Sequence, residues 1–285
     1  MALSELLARR QAEHDRYTAL GLTPVPMRLA QDFDPRAWRL CDAKPGDCVR
    51  LIDKPCAVIA NGQLVGAYLD TRTSGWPLER LRGTLHALPC RKNQRVSGLH
   101  VCDRTFGYSP PSAFHNAHRA DLYRDAPALC ERLERAASNA ADVFQQIAPE
   151  TYRDQQDRLA AIRQDYRLGD TPFTSGVANK TTAMRYHADS PNLPGSWSVL
   201  LVLCEGVSGG HLNVPEWNMS FAMRDGYALL FSGQRFTHGV TPIHGDGYRY
   251  SVVWYARDGF ENADSPLAEL LKRRRRLAYR RKEVQ

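Results

Sequence analysis

Hydrophobic and polar positions along the chain change period several times, and each change marks an element. Leu3, Leu6, Leu7 and Ala12 recur near one face and predict a helix over 3–20, stopped by Gly21. Thr23-Pro-Val-Pro reads as a linker. Residues 47–70 are β-patterned, with 57–60 and 63–68 flanking Asn61-Gly62, the signal of a tight hairpin. Two helical stretches follow. The first, over 125–148, carries Leu129, Leu133, Phe144 and Ile147 and breaks at Pro149. The second, over 150–167, carries Tyr152, Leu159 and Tyr166 and ends at Gly169. The period then returns to two. Residues 173–186 alternate, 199–204 are wholly apolar, 227–231 read as a buried strand and 248–255 alternate again. Ser265 followed by Pro266 predicts a last helix, with Ser at the N-cap and Pro in the first turn.

This succession places a β-rich core behind two supporting helices. It predicts an accessory α/β segment over 1–90, a core with its helices over 91–262 and a tail over 263–285. The 43% hydrophobic and 24% charged residues are ordinary for a globular chain. No apolar run approaches the roughly 20 residues of a membrane helix. The first ten residues lack the apolar centre of a signal peptide. Seven cysteines form no C-x-x-C pair, so the expectation is a reduced, cytoplasmic chain without a disulfide framework.

Charge adds a partner. The formal net charge is +7, and residues 272–282 alone hold eight Lys or Arg, among them Lys272, Arg273, Arg274, Arg275 and Arg276. Residues 1–271 are formally neutral. Such a local run predicts contact with a polyanion, DNA first, with RNA or an anionic membrane surface as other takers.

The chemistry concentrates between 184 and 257. His187-Ala-Asp189 and the distant His238 are a 2-His-1-carboxylate set. Such a set holds Fe(II) on one face and leaves positions open for oxygen chemistry. Residues i and i+2 of a strand share a face, so His187 and Asp189 can reach one metal. By the same period Arg249 and Ser251 share a face and suit a carboxylate held by a guanidinium fork and a hydroxyl. Arg185 has the parity of His187 and is expected at the co-substrate or at Asp189. Asn179, eight residues before His187, either approaches the co-substrate or caps backbone. His115 and His118 read as surface or DNA-backbone contacts, since no acid or thiol completes a second metal site.

Together, His187-x-Asp189, His238 and Arg249-x-Ser251 resemble the core of the Fe(II)/2-oxoglutarate dioxygenases. The extension to His187-x-Asp189-x-x-Asn192, with Tyr255 six residues after Arg249, is similar to the TET/JBP branch, particularly its phage-encoded members. Arg104-Thr-Phe-Gly-Tyr-x-Pro110 looks like a motif found upstream of the core in those members; its residues alone read as a Gly/Pro turn flanked by aromatics and Arg, either a structural turn or a loop that inserts into DNA. The resemblance implies an α+β fold: a double-stranded β-helix core (jelly-roll, cupin-like) with flanking helices and an N-terminal α/β extension. It implies Fe(II) on His187, Asp189 and His238, and 2-oxoglutarate with its far carboxylate on Arg249, with O2 as co-substrate. It implies that Asn192 contacts, and Tyr255 stacks on, a 5-methylpyrimidine of DNA that is flipped or single-stranded, with Arg257 and the tail on phosphates. A single copy of the chain suffices. One position departs from the branch: Leu212 stands where mammalian members carry a co-substrate His, and His211 is one step off. Cytosine and thymine remain alternatives, as do a protein or small-molecule substrate for the same chemistry and a non-enzymatic cupin-like binder.

Overall fold

The computed structural model describes residues 3–29, 32–89, 92–94, 100–113 and 115–283. The run at 199–204 sits near the middle of a large sheet, as part of the strand Ser198–Glu205. Both faces of that strand are covered, which is why its sequence is continuously apolar rather than alternating. Val199, Leu201 and Leu203 face the helices, while Leu200 and Val202 face a second sheet.

From one edge the large sheet runs Thr23–Met27, Cys56–Ala60, Gln63–Asp70, Tyr227–Phe231, Ser198–Glu205, Tyr248–Tyr255, Ser175–Lys180, His100–Ser109 and Lys92–Gln94. Apart from the first pair, which is parallel, these neighbours are antiparallel. The small sheet runs Arg50–Ile52, Met219–Phe221, Leu212–Val214, His238–Val240 and Met184–His187. Phe231 and Leu229 of the large sheet meet Phe221 and Val214 of the small one, with Trp217 from the 3-10 turn Pro215–Trp217, in a shared interior. The two facing sheets with helices outside are the expected α+β, jelly-roll-like fold.

The helices Pro127–Arg135, Ala137–Ile147 and Pro149–Leu159 lie on the outer side of the large sheet. Trp254 donates its indole N–H to the Leu133 carbonyl at 3.0 Å, and Phe144 stacks parallel to Trp197 at 5.9 Å. The expected continuation of the last helix to 167 does not form. Ile162 and Tyr166 turn away to pack with Ala256 and Phe260.

Three other expectations change. Thr23–Met27 is an edge strand rather than a linker. Thr23 donates its N–H inward to Pro55 O at 3.3 Å, so alternation turns the donor-less Pro24 and Pro26 toward the free edge. The Arg104 motif is part of a strand, not a protruding loop: Phe106 is buried and Arg104 pairs with Asp125 at 2.6 Å. Cys102 is disulfide-bonded, against a fully reduced chain, while Cys41, Cys48, Cys56, Cys130 and Cys204 are free. Spacing along the chain does not tell which two of seven thiols the fold brings together. No helix among the described residues is long and apolar enough to cross a membrane.

Candidate metal centre and substrate cavity

The small sheet builds the metal centre. The strands Met184–His187 and His238–Val240 pair antiparallel with His187 directly opposite His238. Their ring centroids are 4.5 Å apart. Each Nδ1 lies against a backbone carbonyl two residues upstream, Arg185 O at 2.7 Å and Phe236 O at 3.0 Å. A carbonyl only accepts, so each Nδ1 carries the proton and each Nε2 presents its lone pair. Asp189 lies just past its strand, where its N–H donates to Gly233 O at 2.9 Å. Its Oδ1 is 3.5 Å from His187 Nε2, and its Oδ2 is 3.8 Å from His238 Nε2. Bonds of about 2.1 Å to a first-row metal place adjacent ligand atoms about 3 Å apart, so small adjustments suffice. Burial, helped by the neighbouring His187, pushes His238 down to about 4 against the pull of Asp189. The imidazole is therefore neutral at pH 7, the state that binds metal. Among the described residues these three form the one such cluster of His, Cys, Asp and Glu side chains.

Gly233 was not legible as a site residue. A Cβ there would sit 2.5 Å from Asp189 Oδ2 and 3.4 Å from His238 Cε1. The position must be glycine for the carboxylate to lie where it does.

The large sheet supplies the opposite wall. Arg249 is 3% exposed, and its Nε and Nη2 have no hydrogen-bond partner among the described residues. Burial lowers it to about 10, so it remains a cation at pH 7. An unpaired buried guanidinium is costly unless an anion completes it. Ser251 is buried beside it and accepts from Asn179 Nδ2 at 3.3 Å. Gly210 leaves room for the Arg249 stem, since a Cβ would meet its Cδ at 2.6 Å. The donor set suits the far carboxylate of 2-oxoglutarate, and the orphaned Nε and Nη2 are the observation that tests the fit.

Both walls line one cavity of about 370 Å³. Strand register orders its large-sheet wall. Arg249 comes first. Next is the row Ser251–Asn179–Asp103, then Val253–Val177–Thr105, then Tyr255 opposite Ser175. Asp103 is a buried carboxylate that sequence reading missed, because pairing between strands far apart in the chain leaves no local signal. Asn192 and Arg257 also line the cavity, and their backbones form an isolated antiparallel bridge. Asn192 N–H donates to Asp189 O at 2.9 Å, so the carboxylate and Asn192 sit on one turn. Gln155 and Arg158 anchor that loop from behind. Gln155 accepts from Trp197 N–H at 2.7 Å, and Arg158 donates to Pro194 O at 2.6 Å. Arg257 keeps a buried Nε without a partner among the described residues.

Some expected residues lie elsewhere. Arg185 reaches Asp42 at 2.7 Å and is not part of the cavity wall; its carbonyl orients His187. Register slips between His238 and Val240, which face His187 and Met184, and this bulge reverses the parity that would have brought Arg185 inward. Met184 lines the cavity instead. Leu212 is in the wall, whereas His211 is half-buried, and burial, with the nearby charge of Arg249, lowers its pKa. Lys272 pairs with Asp264 at 2.6 Å and Glu269 at 3.1 Å, so it is engaged rather than free for phosphate. Arg273, Arg274, Arg275 and Arg276 are exposed on the helix Pro266–Glu283. His118 Nδ1 lies 2.8 Å from Asn116 O.

Residues 112–258 match the family model Tet_JBP, described as the oxygenase domain of the 2OGFeDO superfamily. No curated protein matches the chain. Among solved structures, NgTET1 in complex with 5mC DNA is similar over 96% of this chain and 100% of its own, with a TM-score of 0.63 and 14% sequence identity. An oxidoreductase of the 2OG-Fe(II) oxygenase family from Burkholderia pseudomallei is similar over 70% of this chain and 88% of its own, with a TM-score of 0.46 and 14% identity. At such identity the likeness to NgTET1 speaks for the fold.

Proposed function

The chain belongs to the Tet_JBP family of oxygenase domains in the 2OGFeDO superfamily, which uses Fe(II) and 2-oxoglutarate, and from that premise we propose that it hydroxylates the 5-methyl group of 5-methylcytosine in DNA. The observation that carries this reading is the composition of one cavity. The His187, Asp189 and His238 cluster, the orphaned Arg249 and a polar rim of Asn192 and Arg257 beside the ring of Tyr255 all line it. The fold shared with a protein solved with 5mC DNA supports the same substrate class.

In this reading His187, Asp189 and His238 hold the iron, and Arg249 with Ser251 holds the far carboxylate of 2-oxoglutarate. When bound, the pair supplies the oxidising power: a methyl group, 2-oxoglutarate and O2 become a hydroxymethyl group, succinate and CO2. The chain's own work is placement and exclusion of water. Val177, Val253, Leu200 and Phe231 make the cavity wall apolar along the path between the two ends. Arg249 fixes the co-substrate by charge-assisted bonds in a dry site, where they are strongest.

A base inside a duplex cannot enter such a cavity, so it arrives flipped or single-stranded. Asn192 offers an amide donor and acceptor to the Watson–Crick edge, Tyr255 stacks on the ring, and Arg257 donates to base or phosphate oxygens. The exposed Arg273, Arg274, Arg275 and Arg276 follow the backbone.

The test is incubation of the iron-loaded chain with 2-oxoglutarate, O2 and 5-methylcytosine DNA beside an unmethylated control, read by nucleoside mass spectrometry. Hydroxymethylcytosine is the expected product. Oxidised thymine in the control moves the substrate to thymine. Succinate formation without any modified base removes DNA as the substrate.

A further inference from the structure

The helix Pro149–Leu159 begins without a side-chain cap: its N-cap is Ala148, and Pro149 opens the first turn. This end faces a cavity of about 390 Å³ that shares no lining residue with the oxygenase cavity. The far wall is the helix Leu3–Ala19, which contributes Arg9, Arg10, Arg16 and Tyr17. Arg9 is engaged, with Nε 3.3 Å from Glu13 and Nη2 on Glu150. That leaves Arg10 and Arg16, which form no ion pair among the described residues. Arg10 lies across the hairpin turn, where Gly62 makes room: a Cβ there would be 2.8 Å from Arg10 Nη2.

Two buried atoms point to a ligand. Tyr17 is 3% exposed; the Arg16 side chain approaches its hydroxyl, which can only accept from a guanidinium, and the O–H finds no acceptor at hydrogen-bond distance among the described residues. Arg16 Nε is likewise buried and unpartnered. Glu13 and Glu150 share the one charge of Arg9, and Arg10 and Arg16 leave the lining positive by one; beside the two carboxylates, the principal groups turned on this space are donors: guanidinium N–H, a phenol O–H and the first N–H groups of a helix. An acceptor-only anion with several oxygens satisfies all of them at once, and a helix N-terminus favours its charge.

We propose that this cavity binds a phosphate group, held by Arg10, Arg16, Tyr17 and the N-terminus of Pro149–Leu159. The group is either a backbone phosphodiester of bound DNA or a free phosphate or phosphomonoester. The site does not depend on the oxygenase reading.

The experiment compares thermal unfolding of the full chain in inorganic phosphate and in chloride at equal ionic strength. Phosphate is expected to raise the Tm of the wild type. Arg10→Gln, an exposed position, and Tyr17→Phe, which removes only the orphaned oxygen, should each weaken the apparent phosphate affinity about tenfold, the loss of one charge-assisted or buried hydrogen bond. In chloride, Tyr17→Phe should unfold no earlier than the wild type. If phosphate stabilises wild type and both variants alike, or leaves the wild type unmoved, the site does not exist. DNA affinity measured against salt then identifies the source. A slope smaller by about 0.9 in Arg10→Gln assigns the site to the DNA backbone. An unchanged slope with a lost phosphate response assigns it to a free phosphate.

Discussion

His187 and His238 stand directly opposite each other across an antiparallel pair, with ring centroids 4.5 Å apart and each Nδ1 bound to the backbone carbonyl two residues before it. Ladder pairing thus sets their separation, and the backbone sets their tautomers. The third ligand is positioned differently. Asp189 lies on a turn, held by Gly233 O and limited on its open side by the missing side chain of Gly233.

Gly233→Ala should therefore damage the metal site without unfolding the chain. The added Cβ would lie 2.5 Å from Asp189 Oδ2, so the carboxylate must move. Iron affinity is expected to fall by at least about tenfold, in the range seen when groups supporting metal ligands are removed. Titration with Co(II) as a spectroscopic probe, with circular dichroism as the folding control, reads this out. Unchanged affinity would refute the claim that Gly233 sets the carboxylate's place.

Arg249→Met tests the buried cation. Without co-substrate the change removes an unpaired guanidinium from a buried position, so stability should hold or rise. With 2-oxoglutarate and iron the order reverses. At a hundred times its Kd a ligand stabilises by about 2.7 kcal/mol, and the variant should lose most of that gain. Paired melting curves with and without 2-oxoglutarate decide it; an equal shift in both proteins would place the carboxylate elsewhere.

Metal-free protein should lose stability in acid through His238. Its folded pKa, about 4, is below the ordinary 6.5 of an exposed histidine, so protons bind the unfolded chain more tightly. The contribution is complete above about pH 6.5, declines as pH falls from 6.5 to 4 and is gone below. By linkage it amounts to about 3 kcal/mol. Urea titrations of apo wild type and His238→Gln across that window should converge as pH falls. Parallel curves would show that His238 does not titrate there.

Period-two alternation made much of the site legible. The pattern at Tyr248–Tyr255 put Arg249 and Ser251 on one face, and both line the cavity, as does Tyr255, which the family resemblance singled out. The hairpin at Asn61-Gly62 was equally plain, and both residues take positive φ there. The same rule misplaced Arg185, because a bulge between strands shifts parity and no single strand's sequence reports its partner's register. Asp103 and Gly233 escaped notice for a related reason. One is brought in by pairing with a strand more than seventy residues away, and the other matters through an atom it lacks. Charge counting did not reveal that Lys272 belongs to an ion-pair cluster with Asp264 and the buried Glu269.

That cluster gives the tail two separable parts. Glu269 also accepts from Asn116 Nδ2 at 2.8 Å and from Asp264 N–H at 3.1 Å, so it ties the helix Pro266–Glu283 to the body of the protein. Lys272→Met should loosen this attachment yet leave the salt dependence of DNA binding in place. Replacing Arg273, Arg274, Arg275 and Arg276 by Gln should do the opposite. Each phosphate contact contributes about 0.9 to the slope of log K against log salt, so four lost contacts lower it by about 3.6. Affinity at low salt should fall with it, while the melting temperature stays near that of the wild type, since these side chains are exposed. Fluorescence anisotropy with a labelled duplex across a salt series measures both variants. A steep slope retained in the four-fold variant would move the phosphate contacts off this helix.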